Sequence, residues 1–120
     1  MQYLLLIHDD EAAWGRMSDE ERERMSAEYF AFTQELKDAG VHVAGDALHS
    51  ASEAVSVRVR DGETLVTDGP FAETREQLGG YYLVDVESAE DAAAWAAKIP
   101  SARIGTIEVR RVVVFDRAPA

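Results

Sequence analysis

Asp61-Gly62 separates two runs of alternating residues and constrains the fold more tightly than any other dipeptide in the chain. Val55, Val57 and Val59 alternate with Ser56, Arg58 and Arg60 before it, and Glu63 to Asp68 follows. Asp-Gly readily takes the positive φ values of a two-residue type I′ turn, whose twist matches that of the strands it joins. With the loop held to two residues, antiparallel pairing sets Arg60 opposite Glu63, Val59 opposite Thr64, Val57 opposite Val66 and Val55 opposite Asp68. Asp68 then shares the valine face. An unpaired carboxylate is costly there unless the strand has reached an opening, a turn or a polar pocket.

Around this hairpin the chain alternates strands with helices. Tyr3 to His8 is continuously apolar and predicts a strand that is central or covered on both faces, followed by a turn over Asp9 to Gly15. Ser18 and Glu21 form a capping box, and Met25, Tyr29, Phe32 and Leu36 recur at helical spacing until Gly40, so residues 18–39 predict one long helix. Val41 to Leu48 reads as a second strand, and Tyr81 to Glu87 as the strand after the hairpin. Gly79-Gly80, followed by a strand instead of a helix, reads as a bend or bulge and not as a nucleotide loop. Ser88 with Asp91 caps a second helix whose stripe is Ala92, Trp95, Ala96 and Ile99, ended by Pro100. In Thr106 to Phe115 the apolar phase changes across Arg110-Arg111, which predicts a bulge. Arg117 to Ala120 reads as a frayed tail.

Strand, helix, strand, inserted hairpin, strand, helix, strand predicts one α+β domain over residues 1–120: a ferredoxin-like antiparallel sheet with both helices on one face. The other face needs a cover, and a second copy of the same sheet is the natural one, giving a homodimer. The chain has no cysteine, which excludes disulfides, thiolate chemistry and cysteine metal sites. A formal net charge of −11 argues against nucleic acid and anionic membrane surfaces as partners. The apolar run at the start lacks the basic lead-in and cleavage site of a secretory signal, which predicts a cytoplasmic location. No metal or cofactor motif is present, because the three histidines are dispersed and no H-E-x-x-H or compact carboxylate loop occurs.

Three stretches carry a family likeness: "YLLLIHDDEAAW", "LVTDGPFAETREQLGGYYLVDVESAEDA" and "IPSARIGTIEVRRV". With them the chain resembles the YCII-related family in its DGPF-motif branch, over nearly its whole length. The resemblance implies a dimeric α+β barrel built from ferredoxin-like subunits, an architecture used by several small enzymes acting on compact organic molecules. It also implies a genomic association of some members with extracytoplasmic-function sigma factors. In shorter relatives a histidine on the first helix, paired with an aspartate, is the proposed catalytic element. Here that helix reads "MSAEYFAFTQEL", with Glu28 or Tyr29 at roughly that place, so the histidine chemistry does not carry over.

Candidate site residues therefore come from the DGPF segment and its surroundings. Asp68 is either the acceptor of an Asx-type turn, with Gly69 and Pro70 shaping the exit and Phe71 as a plug, or a general acid or base at a cavity rim. Phe71, Glu73, Arg75, Tyr81 and Tyr82 are the candidate substrate contacts, with Arg75 suited to a carboxylate. His8, at the end of the first strand beside Asp9 and Asp10, is a second candidate proton carrier. Trp14 lies outside any stripe and covers either a pocket mouth or a dimer seam. The functional expectation is acid/base handling of a small metabolite near the DGPF turn. The alternative is a non-catalytic dimeric regulatory module, linked to a sigma factor.

Overall fold

In a computed structural model, described for residues 1–115, the elements run in the expected order. They are β1 (Gln2–Asp9), α1 (Glu11–Gly15), α2 (Asp19–Asp38), β2 (His42–Ala47), β3 (Val55–Arg60), β4 (Glu63–Asp68), β5 (Gln77–Asp85), α3 (Ala89–Ala97) and β6 (Thr106–Arg111). Single 3₁₀ turns occupy Ala51–Glu53 and Pro100–Arg103. The main sheet has the order β2-β5-β1-β6, and every neighbouring pair is antiparallel. That is the ferredoxin-like arrangement, with β3 and β4 inserted as a separate two-stranded ribbon.

Alternation along the two central strands decides which side is core. Tyr3, Leu5, Ile7 and Asp9 of β1 and Gly80, Tyr82 and Val84 of β5 are buried, whereas Leu4, Leu6, Tyr81 and Leu83 between them are only half-buried. Phe32 and Leu36 of α2 and Ala92 and Ala96 of α3 cover the first set, with Ile99 closing the end of α3. Phe32 meets the rings of Tyr82 and Trp95 edge-on at 5.2 and 6.3 Å, the geometry that ring quadrupoles favour. Ser18 caps α2 by accepting from the Glu21 amide, and Ser88 caps α3 by accepting from the Asp91 amide.

The ribbon has the register set by its two-residue turn, with Arg60 opposite Glu63 and Val55 opposite Asp68. Asp61 and Gly62 have φ of 52° and 80°. Its valine face is open, with Val55, Val57, Val59 and Val66 each more than half exposed, so Asp68 bears no burial cost. The ribbon stands off the domain, and the radius of gyration is 16.8 Å, against roughly 14 Å for a compact chain of this length.

Three local expectations differ from the structure. Asp9 to Gly15 is not a plain turn: Asp10 accepts from the Ala12 amide and starts α1. β5 begins at Gln77, and the bulge lies inside it, where Ile7 faces Gly80 and His8 faces Leu78 with Gly79 unpaired between them. β6 ends at Arg111 without a bulge. The change of apolar phase there marks the end of the strand, and Val113, Val114 and Phe115 are exposed. The frayed tail expected at Arg117 to Ala120 lies outside the described residues.

Candidate functional site

The core face of β1 runs Tyr3, Leu5, Ile7 and then Asp9, so the period of two carries a carboxylate into the space under α2. Asp9 is 6% exposed. Two features make that position tenable. The bulge at Gly79 leaves room beside it: a Cβ on Gly79 would lie 3.2 Å from Asp9 Oδ1, tighter than ordinary packing. Helix α1 turns the chain back so that the Trp14 indole N–H donates to Asp9 Oδ2 at 2.8 Å. Two adjacent aspartates thus do different work, Asp10 starting the helix that supplies the donor for Asp9. Oδ1 takes no hydrogen bond from the described residues, and Asp9 lines a cavity of about 800 Å³ between the sheet and α2.

The opposite wall is built by α2. Tyr29 and Thr33, one turn apart, face the cavity with Ser26. The Tyr29 hydroxyl forms a short hydrogen bond with the fully buried Ser101 Oγ. Burial raises the Tyr29 pKa above its ordinary 10.0, and the nearby Asp9 charge raises it further, so the phenol stays protonated at neutral pH. Thr33 Oγ1 donates to the Tyr29 carbonyl at 2.9 Å, so its 2.7 Å contact with Tyr82 is a bond donated by the Tyr82 hydroxyl. Burial raises the Tyr82 pKa as well. Gly45 of β2 makes space for that ring, since a Cβ there would come within 2.7 Å of Tyr82 Cδ1. His42 completes this end, its ring edge-on to Tyr82 at 6.4 Å.

Of the residues singled out in the sequence, Tyr82 lies in this cavity by its ring, and Tyr81 contributes to the lining while its hydroxyl donates to Asp46 Oδ2 at 2.7 Å. His8 points away from the helices, its Nε2 3.3 Å from Glu108 Oε1. It borders two smaller clefts, one with Arg75 and Thr106 and one with Pro70 and Phe71. Phe71 is 81% exposed. Asp68 and Glu73 are exposed and line none of these spaces. The DGPF turn is held by its backbone: the Gly69 N–H donates to Ala54 O at 2.6 Å and Ser56 Oγ donates to Gly69 O at 2.8 Å. Asp68 makes no side-chain hydrogen bond among the described residues, and Gly69 has φ 97°, a conformation other residues rarely adopt.

Asp9, Tyr29, Thr33 and Ser101 were not among the sequence candidates. The signal that finds Asp9 is its phase with Tyr3, Leu5 and Ile7, which the unbroken apolar run of β1 hides. The structure separates the neighbours Tyr29 and Glu28 of α2. Tyr29 faces the cavity, while Glu28 pairs with Arg103. Among the described residues no three His, Asp or Glu side chains converge as metal ligands, and no helix is long and apolar enough to cross a membrane.

The model of the YCII-related domain family matches residues 1–116. An uncharacterized protein of Rhizobium meliloti (strain 1021) is 36% identical over 117 residues, 96% of this chain and 94% of the relative. Among solved structures, the chain is similar to 5-chloro-2-hydroxyhydroquinone dehydrochlorinase from Burkholderia phenoliruptrix AC1100, in complex with 2,5-dihydroxybenzoquinone. The match has a TM-score of 0.55 at 16% identity over 94% of each chain, a likeness of fold.

Proposed function

The chain belongs to the YCII-related family, and on that footing we propose that it binds and transforms a small organic molecule by acid/base chemistry in the cavity between the sheet and α2. The observation that carries this reading is the buried Asp9 carboxylate in the lining of a cavity of about 800 Å³, with one oxygen fixed by Trp14 and the other taking no hydrogen bond from the described residues. That volume suits a compact organic molecule. Asp9 Oδ1 takes a proton from the substrate and becomes a carboxylic acid, and the Tyr29 O–H donates a hydrogen bond to the oxygen on which negative charge develops. The similar dehydrochlorinase is named for a hydroxylated ring, a substrate of compatible size.

Thermal shifts of wild type, Asp9→Asn and Asp68→Asn against a library of small phenols, amides, amines and carboxylates test the reading. Ligands that stabilise wild type and Asp68→Asn but not Asp9→Asn support it. Ligands lost only with Asp68→Asn move the chemistry to the DGPF turn, where His8, Phe71, Glu73 and Arg75 are the remaining candidates.

A second reading has its own observation. The open valine face of the ribbon, with Phe71 beyond it, is apolar surface suited to a protein contact, which favours a non-catalytic interaction module; its sigma-factor link rests on the family resemblance. Under either reading the open sheet face with Leu4, Leu6, Tyr81 and Leu83 is the surface we assign to a homodimer, acting in the cytoplasm.

A further inference from the structure

The charges around the cavity narrow the substrate class beyond its size. Two carboxylate residues of the core side, Asp9 and Glu11, line it, Asp46 borders it from β2 with its carboxylate bonded to Tyr81 on the open face of the sheet, and no lysine or arginine among the described residues lines it. Glu11 is tied to the Ser50 hydroxyl and the Ala51 amide, so it is held in place by neutral donors. Arg16, directly after α1, is exposed and is not part of the lining, and Arg22 is engaged with the carbonyl oxygens of Trp14 and Gly15 and with Asp19. His42 is the one lining group able to carry positive charge. The remaining walls combine flat or apolar side chains, Trp14, Tyr29, Tyr82, Ile7 and Leu48, with the neutral hydroxyls of Ser26 and Thr33.

An anionic group entering this space gives up hydration and meets two carboxylates with no guanidinium or ammonium to replace the lost water. The net charge of −11 adds a long-range field of the same sign. A hydroxyl or N–H donor, in contrast, supplies what Asp9 Oδ1 lacks. We infer that the cavity selects an uncharged or cationic ring bearing an O–H or N–H donor and excludes carboxylates and phosphates. This inference rests on the assignment of the cavity as the working site.

The test is a charge-matched series on one ring: 3,5-dihydroxybenzamide, 3,5-dihydroxybenzylamine and 3,5-dihydroxybenzoate, titrated by calorimetry into wild type and Asp9→Asn. The amide and the benzoate have nearly the same size and differ in charge. The expected result is Asp9-dependent binding of the amide or the amine at least tenfold tighter than that of the benzoate. Glu11→Gln, which lowers the negative charge of the lining, narrows that gap. Asp9-dependent binding in which the benzoate equals or exceeds both others overturns the inference and leaves the cavity assignment standing. Absence of Asp9-dependent binding by all three, and by every member of the wider library, removes the assignment and the inference together.

Discussion

The cavity at the end of β1 and the turn at Asp68-Gly69-Pro70-Phe71 both present a carboxylate at the end of a strand, and the structure treats them in opposite ways. Asp9 is enclosed, with a fixed donor on one oxygen, the Tyr29 side chain on the opposite wall and a bulge that makes room for it. Asp68 is exposed, opposite a valine that is itself exposed, in a turn that backbone bonds hold. The conspicuous sequence word marks the turn, whereas the assembled chemistry lies where no word stands out. A four-residue motif advertises a backbone requirement, here the positive φ of Gly69. A site drawn from five elements leaves only single residues in the sequence.

The largest expected effect separates the two carboxylates directly. With a turned-over ligand in hand, Asp9→Asn lowers the rate by about 10²–10⁴-fold, the usual span for a lost general base, and Asp68→Asn leaves it unchanged. The reverse order breaks the comparison. Next in size is packing. Leu36, fully buried on the inner face of α2, costs about 2–5 kcal/mol when cut to alanine, while Val57→Ala in the ribbon stays within about 0.5 kcal/mol. Urea unfolding measures both, and a large Val57 value shows that the ribbon is covered in solution.

A smaller effect belongs to the donor on Asp9. Trp14→Phe keeps an aromatic ring of smaller size but removes the N–H, and costs about 1.5–3 kcal/mol, as for other hydrogen bonds to charged groups. Glu73→Ala has no measurable effect on stability. The smallest effect appears at high pH. The folded protein holds the Tyr29 and Tyr82 protons above the ordinary 10.0 of the unfolded chain, so their contribution to stability is full below pH 10 and is lost as pH rises beyond it. Tyr29→Phe shrinks that alkaline loss, and chemical denaturation across this range detects the difference.

Much of the fold was legible because it is local. The Asp61-Gly62 turn fixes the ribbon register, Ser18 and Ser88 announce two helix starts, and the stripe from Met25 to Leu36 defines the buried face of α2. The arrangement of β1 between β5 and β6 follows from its unbroken apolar run, since both edges of that strand are paired. The same run conceals the site. In Tyr3 to Asp9 every residue but the last two is apolar, so the phase that sends Asp9 inward and His8 outward is not visible until the sheet has a covered and an open side. Tyr29 likewise reads as part of an apolar stripe, and its hydroxyl gains meaning only from Ser101, 72 positions away. Helix α1 is too short to show a period, so the role of Trp14 comes entirely from its contact with Asp9.

The most direct measurement follows the indole N–H resonances of Trp14 and Trp95 during titration with 3,5-dihydroxybenzamide, alongside the amides of Gly69, Phe71, Gly79 and Gly80. Trp14 touches Asp9 in the cavity, and Trp95 packs against Phe32 on the core side, so each tryptophan serves as the other's control. The predicted result is movement of Trp14, Gly79 and Gly80 with Trp95, Gly69 and Phe71 unmoved. Shifts confined to Gly69 and Phe71, with Trp14 still, would contradict the assignment of Asp9 and return the working site to the DGPF turn.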